Sequence, residues 1–303
     1  MPPGGLLRRP TSIHDLVTRP TILVTGAAGQ LGFELARLLP QHGDVTALDR
    51  SRLDLADAEA IRTTVRMLRP QLIVNAAAYT AVDQAERESA LAEAINAHAP
   101  GVLAEEAKRL GAVLIHYSTD YVFDGLASMP YTEESPTLPL SVYGRSKLHG
   151  EQAVAASTAA ALVFRTSWVY ASRGRNFFLT IRRLAAERDE LRIVADQWGI
   201  PNWSRTLAEA TATLVGRGLP ALAAHAGLYH LAGHGRASWF EFARAIVGQV
   251  ERPTVTPIDT AEYPTAARRP AYAVLGTAKF ERTFGFSLPD WREMLRRCIA
   301  QMN

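Results

Sequence analysis

From Pro20 onward, short apolar runs alternate along the chain with longer stretches whose apolar side chains recur every three to four positions. The spacing predicts strands at Thr21–Thr25, Asp44–Leu48, Leu72–Asn75, Val113–Ser118 and Ala161–Thr166. Between them it predicts helices over Gln30–Leu39, Ala58–Leu68, Ser89–Leu110 and Ser141–Ala156, the third stopped by Gly111. Strand-length runs joined by helix-length spacers argue for a parallel sheet covered by helices on both faces, an α/β doubly wound arrangement. Beyond Trp168 the spacing becomes irregular, with helical patterns at Asn176–Ala186, Ser204–Arg217 and Ser238–Val250 separated by loops rich in Pro and Gly. That half reads as a smaller C-terminal α/β lobe for substrate, over the sheet's carboxyl edge. The expected boundaries are 20–167 and 168–303, with part of 204–232 completing the sheet. Residues Met1 to Arg19 carry Pro2, Pro3, Gly4, Gly5 and Pro10 without periodicity and read as a flexible extension.

Composition narrows the class. The 303 residues are 48% hydrophobic and 21% charged, the balance of a soluble globular chain of one large or two modest domains. No apolar run approaches the roughly 18 residues that cross a bilayer. A net charge of +3 with no dense basic block offers nothing to nucleic acid or to a membrane surface. The single cysteine, Cys298, excludes an internal disulfide, fits a reducing compartment and sits in a helical pattern as a small core residue. With no apolar core of a secretory signal near the start, the expected location is the cytoplasm. Only three of the 33 basic residues are lysines: Lys108, Lys147 and Lys279.

The first strand runs into Gly26-Ala27-Ala28-Gly29-Gln30-Leu31-Gly32, and a helix follows. Gly26 allows a tight turn, Gly29 lets backbone approach a pyrophosphate, and Gly32 permits close helix–strand packing. Phosphates then meet the free N–H groups of the helix N-terminus. This is a dinucleotide turn of Rossmann type, because it follows the first strand and opens the first helix. Asp49 closes the second strand, where a carboxylate holds a ribose 2′-OH and favours NADH. Arg50 and Arg52 beside it suit a 2′-phosphate and favour NADPH, so the residues leave the preference open. Asp54-Leu55 can reach the adenine edge, and the small residues Ala76-Ala77-Ala78 before Tyr79 let a flat cofactor pass close to the third strand.

The fourth strand ends Ser118-Thr119-Asp120, and Tyr143-Gly144-Arg145-Ser146-Lys147 places Tyr and Lys four apart on one helix face. Ketone reduction needs a hydride donor on one face and a proton donor at the oxygen. Tyr143 is expected to deliver that proton, Thr119 to hold the carbonyl oxygen, and the Lys147 ammonium to lower the phenol's pKa while holding the nicotinamide ribose. The eight histidines are spread along the chain with no H-E-x-x-H motif, and no metal is expected from them.

These residues resemble the extended short-chain dehydrogenase/reductase family, and more narrowly its dTDP-4-dehydrorhamnose reductase branch, from about Thr21 to the C-terminus. Besides the glycine turn, Thr119-Asp120 and Tyr143 to Lys147, the likeness rests on Asn75 to Asp83, Ser118 to Gly125 and Arg165-Thr166-Ser167-Trp168-Val169-Tyr170. It continues through Asp196-Gln197-Trp198-Gly199-Ile200-Pro201, Ser238-Trp239-Phe240 and Tyr263 to Pro270. Two departures stand out: Ala171 where relatives usually have glycine, and Tyr79 where many have histidine.

The resemblance implies an NAD(P)H-dependent oxidoreductase reducing the C4 ketone of dTDP-4-dehydro-L-rhamnose to dTDP-L-rhamnose, the last step of dTDP-rhamnose biosynthesis. The cofactor would be NADPH, with NADH allowed, lined by Gly29-Gln30-Leu31, Asp49, Asp54-Leu55, Ala77-Ala78-Tyr79, Tyr143 and Lys147. Thr119, Asp120 and Trp168 would contact the sugar nucleotide, and Arg268 and Arg269 its diphosphate. Some relatives hold Mg²⁺ at a homodimer contact through a glutamate matching Glu34; alone, Glu34 is an ordinary first-turn glutamate, and metal and oligomeric state stay open. Two other readings remain: a reductase of another dTDP-4-keto-6-deoxy sugar, and a non-catalytic NADP-binding regulatory subunit like that of methionine adenosyltransferase.

Overall fold

Strand β1 (Thr21–Thr25) is buried from Ile22 onward on both of its faces, as a central strand of a parallel sheet must be. The computed structural model describes residues 19–248 and 253–302, so the extension expected over Met1–Arg19 lies outside the described residues except for Arg19. After β1 come α1 (Gln30–Leu38), β2 (Asp44–Leu48), α2 (Ala58–Leu68), β3 (Leu72–Asn75), the short α3 (Val82–Ala85) and α4 (Ser89–Glu93). Next are α5 (Ala99–Leu110), β4 (Val113–Thr119), α6 (Val142–Ser157), β5 (Ala160–Thr166), β6 (Val169–Tyr170) and α7 (Phe177–Glu187). The rest runs β7 (Glu190–Val194), β8 (Trp198–Gly199), β9 (Asn202–Trp203), α8 (Ser204–Val215), α9 (Leu219–Ala224) and β10 (Gly227–His230). It closes with β11 (Ala237–Ser238), α10 (Trp239–Val247), β12 (Thr254–Ile258), α11 (Ala278–Phe284) and α12 (Trp291–Ala300).

Six strands make one parallel sheet in the order β10-β5-β4-β3-β1-β2. The pleat sorts its side chains into two cores. Ile22, Val24, Leu72, Val74, Val113 and Ile115 face α1 and α8. Leu23, Ile73 and Leu114 face the other way, against Ile61 and Val65 of α2 and Leu103 of α5. Each such side chain, fully buried, contributes about 1.5–3 kcal/mol of transfer free energy, so both faces hold the sheet. The chain leaves β1 toward β2 on one side while β3 lies on the other. The carboxyl ends of β1 and β3 therefore flank a topological switch point, where ligands of such sheets bind. The remaining strands pair two by two: β12 with β7 and β6 with β9 in parallel, and β11 with β8 antiparallel.

Where pattern and structure differ, the cause is local. The helix expected over Ser89–Leu110 is interrupted by a π turn at Ala94–His98, in which Ala99 N–H donates to Ala94 O. Pro100 has no N–H to offer Asn96 O, so the ordinary ladder is broken there. The freed Asn96 carbonyl is where α6 approaches most closely: a Cβ on Gly150 would lie 2.1 Å from it. One turn either side of Lys147, Gly144 does the same, since a Cβ there would lie 2.2 Å from Tyr121 O. Helix α10 ends at Val247, short of the expected Val250, which lies outside the described residues. No helix among the described residues is long and apolar enough to cross a membrane.

Candidate active site

A cleft of about 570 Å³ opens at the switch point. Its floor is the glycine turn. Gly26 sits at φ +71°, and a Cβ there would strike Ala77 Cα and N at 2.7 Å, so the turn and the end of β3 fit only without that side chain. Gly29 N–H donates to Gly26 O at 2.8 Å, and no side chain caps α1, whose N-terminal amides remain for an anion. Gln30, Leu31, Ala77, Ala78 and Tyr79 line the cleft with them. Gly32 is different: it is buried beneath the turn, where a Cβ would lie 2.1 Å from Gly26 O, so it serves by packing and not by contact.

At the far end of the cleft Asp49, Arg50, Asp54 and Leu55 come together. Asp49 Oδ1 accepts from Ser51 Oγ at 2.6 Å and Ser51 N–H at 3.0 Å, and these bonds hold its carboxyl below the usual carboxylate range. Arg50 lies 3.7 Å from Asp54 Oδ2, an exposed and weak pair that leaves its guanidinium available. Asp49, suited to a ribose 2′-OH, and Arg50, suited to a 2′-phosphate, thus share one corner of the cleft.

The chemistry-bearing wall is α6 against the end of β4. Tyr143 and Lys147 both line the cleft. Ser141 caps the helix, accepting from Gly144 N–H at 3.1 Å. Burial pushes the Tyr143 phenol up to about 12, against a hydrogen bond with Thr119, and Asp120 adds to the rise. Lys147, expected to lower it, has no part in that shift. Lys147 Nζ is turned inward, donating to Tyr117 O at 2.6 Å with His116 Nε2 at 3.3 Å, and burial brings the lysine down to about 8. Thr119 Oγ1 accepts from Tyr121 N–H at 3.1 Å and donates to Asp120 Oδ1 at 3.0 Å. Asp120 Oδ2 is buried with no partner, and burial raises this carboxyl to about 7.

Sequence reasoning missed several supporting residues. Asn96, aimed by the π turn, accepts from Tyr79 N–H at 2.8 Å and donates to Tyr79 O and to Ser146 Oγ, both at 3.0 Å, tying the end of β3 to α6. Glu151, one turn beyond Lys147, takes Arg165 in a buried two-point pair at 2.9 and 2.6 Å and also accepts from Ser118 Oγ. The signal was a polar residue on an otherwise apolar face, visible at Asn96 between Ala92 and Ala99.

Trp168 is held in the left-handed region at φ +44°, an uncommon conformation for a bulky residue. Its ring stacks on Trp239 at 3.5 Å and 4°, with no room for a side chain on Gly199. Trp239 Nε1–H donates to Gln197 Oε1 at 3.2 Å. Thr166 and Val169, flanking Trp168, line the first cleft, whereas Trp239, Gln197 and Arg269 line a second of about 540 Å³, floored by Ile181, Leu184 and Leu191. The tryptophan pair therefore stands between the two. Arg269 makes a two-point pair with Asp83 at 3.1 and 2.7 Å, and Arg268 is exposed and lines neither cleft. Glu34 is buried with Arg205 Nη1 3.6 Å from Oε2. No three His, Cys, Asp or Glu side chains converge on a metal position among the described residues.

The chain matches the family described as RmlD substrate binding domain over residues 20–303. It is 47% identical over 293 residues to the dTDP-4-dehydrorhamnose reductase of Burkholderia thailandensis, covering 93% of this chain and 98% of that one. The enzyme of the same name from Escherichia coli K12 is 42% identical over 294 residues, covering 93% and 97%. Among solved structures, dTDP-4-dehydrorhamnose reductase of Bacillus anthracis in complex with NADP superposes with a TM-score of 0.88 at 36% identity, over 94% of this chain and 100% of that chain.

Proposed function

The chain belongs to the RmlD family of dTDP-4-dehydrorhamnose reductases, and from that premise we propose how its two clefts divide the work of reducing the C4 ketone of dTDP-4-dehydro-L-rhamnose. The protein is an oxidoreductase of the last step of dTDP-rhamnose synthesis. The observation that carries the division of roles is Tyr143, near Thr119 and one helical turn from Lys147, on the wall of a cleft floored by a glycine turn.

The first cleft fits a nicotinamide dinucleotide: Gly26 and Gly29 leave the backbone open to a diphosphate, Asp49 and Arg50 suit the adenosine ribose, and Lys147 would hold the nicotinamide ribose. When bound, NADPH or NADH supplies the hydride. Tyr143, protonated at neutral pH, gives its proton to the sugar's O4. The phenolate left behind is costly in a buried site, and Asp120 can relieve it. A neutral Asp120 carboxyl donates to Thr119 Oγ1, and the Thr119 hydroxyl proton passes to the phenolate, leaving a carboxylate that solvent reprotonates between turnovers.

The sugar would lie against Thr119, Asp120 and Trp168. The thymidine diphosphate would occupy the second cleft, with an apolar floor for the base and Arg269 for a phosphate, released in part from Asp83. Residues 168–303, apart from α8, α9 and β10 on the sheet, would form this substrate side. The reducing setting of a lone cysteine supports a cytoplasmic enzyme. The test is absorbance loss at 340 nm with NADPH and dTDP-4-dehydro-L-rhamnose, with product confirmed by mass. Oxidation that needs both the sugar and Tyr143 supports the reading. A wild-type enzyme inert toward this sugar but active on another dTDP-4-keto-6-deoxy sugar would reassign the substrate.

A further inference from the structure

Thr25, Asn75 and His116 occupy one cross-strand row. Thr25 pairs in register with Asn75, and Asn75 with His116. The row immediately before it on the same face is Leu23, Ile73 and Leu114, wholly apolar. Three fully buried polar side chains at the last layer of a sheet need partners, and they find them in sequence. Thr25 Oγ1 is 2.6 Å from Asn75 Oδ1, Asn75 Nδ2 is 3.0 Å from His116 Nδ1, and His116 Nε2 is 3.3 Å from Lys147 Nζ. The chain ends on the lysine that lines the cofactor cleft.

We propose that His116, oriented by Asn75 and Thr25, is a positioning residue for Lys147, and that this buried chain sets the lysine's charge state by reversing its own polarity. The inference rests on the cofactor role given to Lys147 above.

With Asn75 Nδ2 donating to His116 Nδ1, the ring proton sits on Nε2 and faces Nζ, which suits an uncharged amine. Turning the Asn75 amide by half a turn reverses every bond. Nδ1–H then donates to Asn75 Oδ1, Asn75 Nδ2–H donates to Thr25 Oγ1, and a bare Nε2 accepts from an ammonium. The threonine hydroxyl donates or accepts equally well, so it ends the chain in either sense. In both states Nζ donates to Tyr117 O and keeps one N–H for the cleft, so the lysine's aim survives a change of charge. The other ionisable group acting on Lys147 is Glu151 on its own helix, which favours the ammonium and is held by Arg165. Burial, and then Lys147, keep the His116 imidazole well below the usual histidine range, as a neutral relay requires.

Because the chain has three lysines, ¹³Cε-lysine NMR follows Lys147 directly without any sugar substrate. Its pH titration is compared in wild type, His116→Leu, His116→Gln and Thr25→Val, beside the NADPH dissociation constant. Removing the acceptor disfavours the ammonium, so Lys147 in His116→Leu should titrate about one pH unit lower. The glutamine carbonyl should recover most of that shift. Thr25→Val, which strands an amide N–H only in the ammonium polarity, should move the titration the same way by less, and it carries the test should His116→Leu fail to fold. The basic limb of kcat should follow the NMR shift. An unchanged Lys147 titration in the folded variants would overturn the proposal even if the enzyme reduces the keto sugar. A shifted titration with no sugar turnover in wild type would leave it standing and sink the substrate assignment instead.

Discussion

Asp120→Asn isolates the cost of a carboxyl almost wholly withdrawn from water. Asp120 is 2% exposed, one of its oxygens has no partner, and burial lifts it from 3.8 to about 7. Below pH 3.8 the group is protonated in both folded and unfolded chains and costs nothing. Between 3.8 and about 7 the unfolded chain releases a proton that the fold retains, so stability is lost as pH rises, by about 1.4 kcal/mol per unit. Above the folded value the loss is complete. From pH 5.5 to pH 8 the wild type should therefore lose ~2 kcal/mol on this group's account, and asparagine, which does not titrate, should lose none. At an unfolding entropy of ~2.1 cal/mol/K per residue, 2 kcal/mol corresponds to roughly 3 °C for a chain of this size. Scanning calorimetry of both proteins at the two pH values should show the variant's Tm rising relative to wild type by that amount. Any fixed cost of the amide cancels in the comparison. Parallel Tm–pH curves would mean that the carboxyl is ionised throughout, and the Thr119 relay built on its proton would fall with it.

Three further outcomes follow from the geometry. Tyr143→Phe should fold and bind NADPH normally while losing about 10²–10⁴-fold in sugar-dependent NADPH oxidation, the worth of a positioned acid. Gly199→Ala would put a methyl within 2.5 Å of the Trp168 ring, so the stack on Trp239 should open. That should raise KM for the nucleotide sugar by roughly tenfold, with NADPH affinity unchanged and a change in tryptophan fluorescence. Glu151→Gln would leave the buried Arg165 charge uncompensated and should cost about 3 kcal/mol in urea unfolding, alongside a lower Lys147 titration.

The five expected strands were legible because they are short, mainly apolar runs, β1, β3, β4 and β5 almost wholly buried, and β1, β2, β3 and α2 fall on the expected residues. The sites on one continuous turn were legible too: the Gly26 turn, and Tyr143 with Lys147 four apart on α6. What the sequence hid depends on contacts between distant segments. Pro100 marks a break near Asn96, but nothing local says what the freed carbonyl meets, because that contact is Gly150 on another helix. Periodicity placed His116 within a strand but could not show that Thr25 and Asn75 lie beside it, since that depends on register between β1, β3 and β4. Arg268 and Arg269 are adjacent and alike in sequence, and only the position of Asp83 separates a half-buried, paired guanidinium from an exposed one. Burial by distant segments, which no local pattern shows, raises the Tyr143 phenol, while Lys147 Nζ turns inward to Tyr117 O.

The two glycine contacts on α6 also bear on how this enzyme should fail with heat. Gly144 and Gly150 sit three residues before and three after Lys147, each with a foreign carbonyl where a side chain would be. A helix pinned one turn before and one turn after Lys147 has no room to slide or rotate. It can hold register or come away entirely. Loss of activity on warming should therefore coincide with cooperative melting of the fold, with no cooler window in which a folded enzyme has already lost its proton donor.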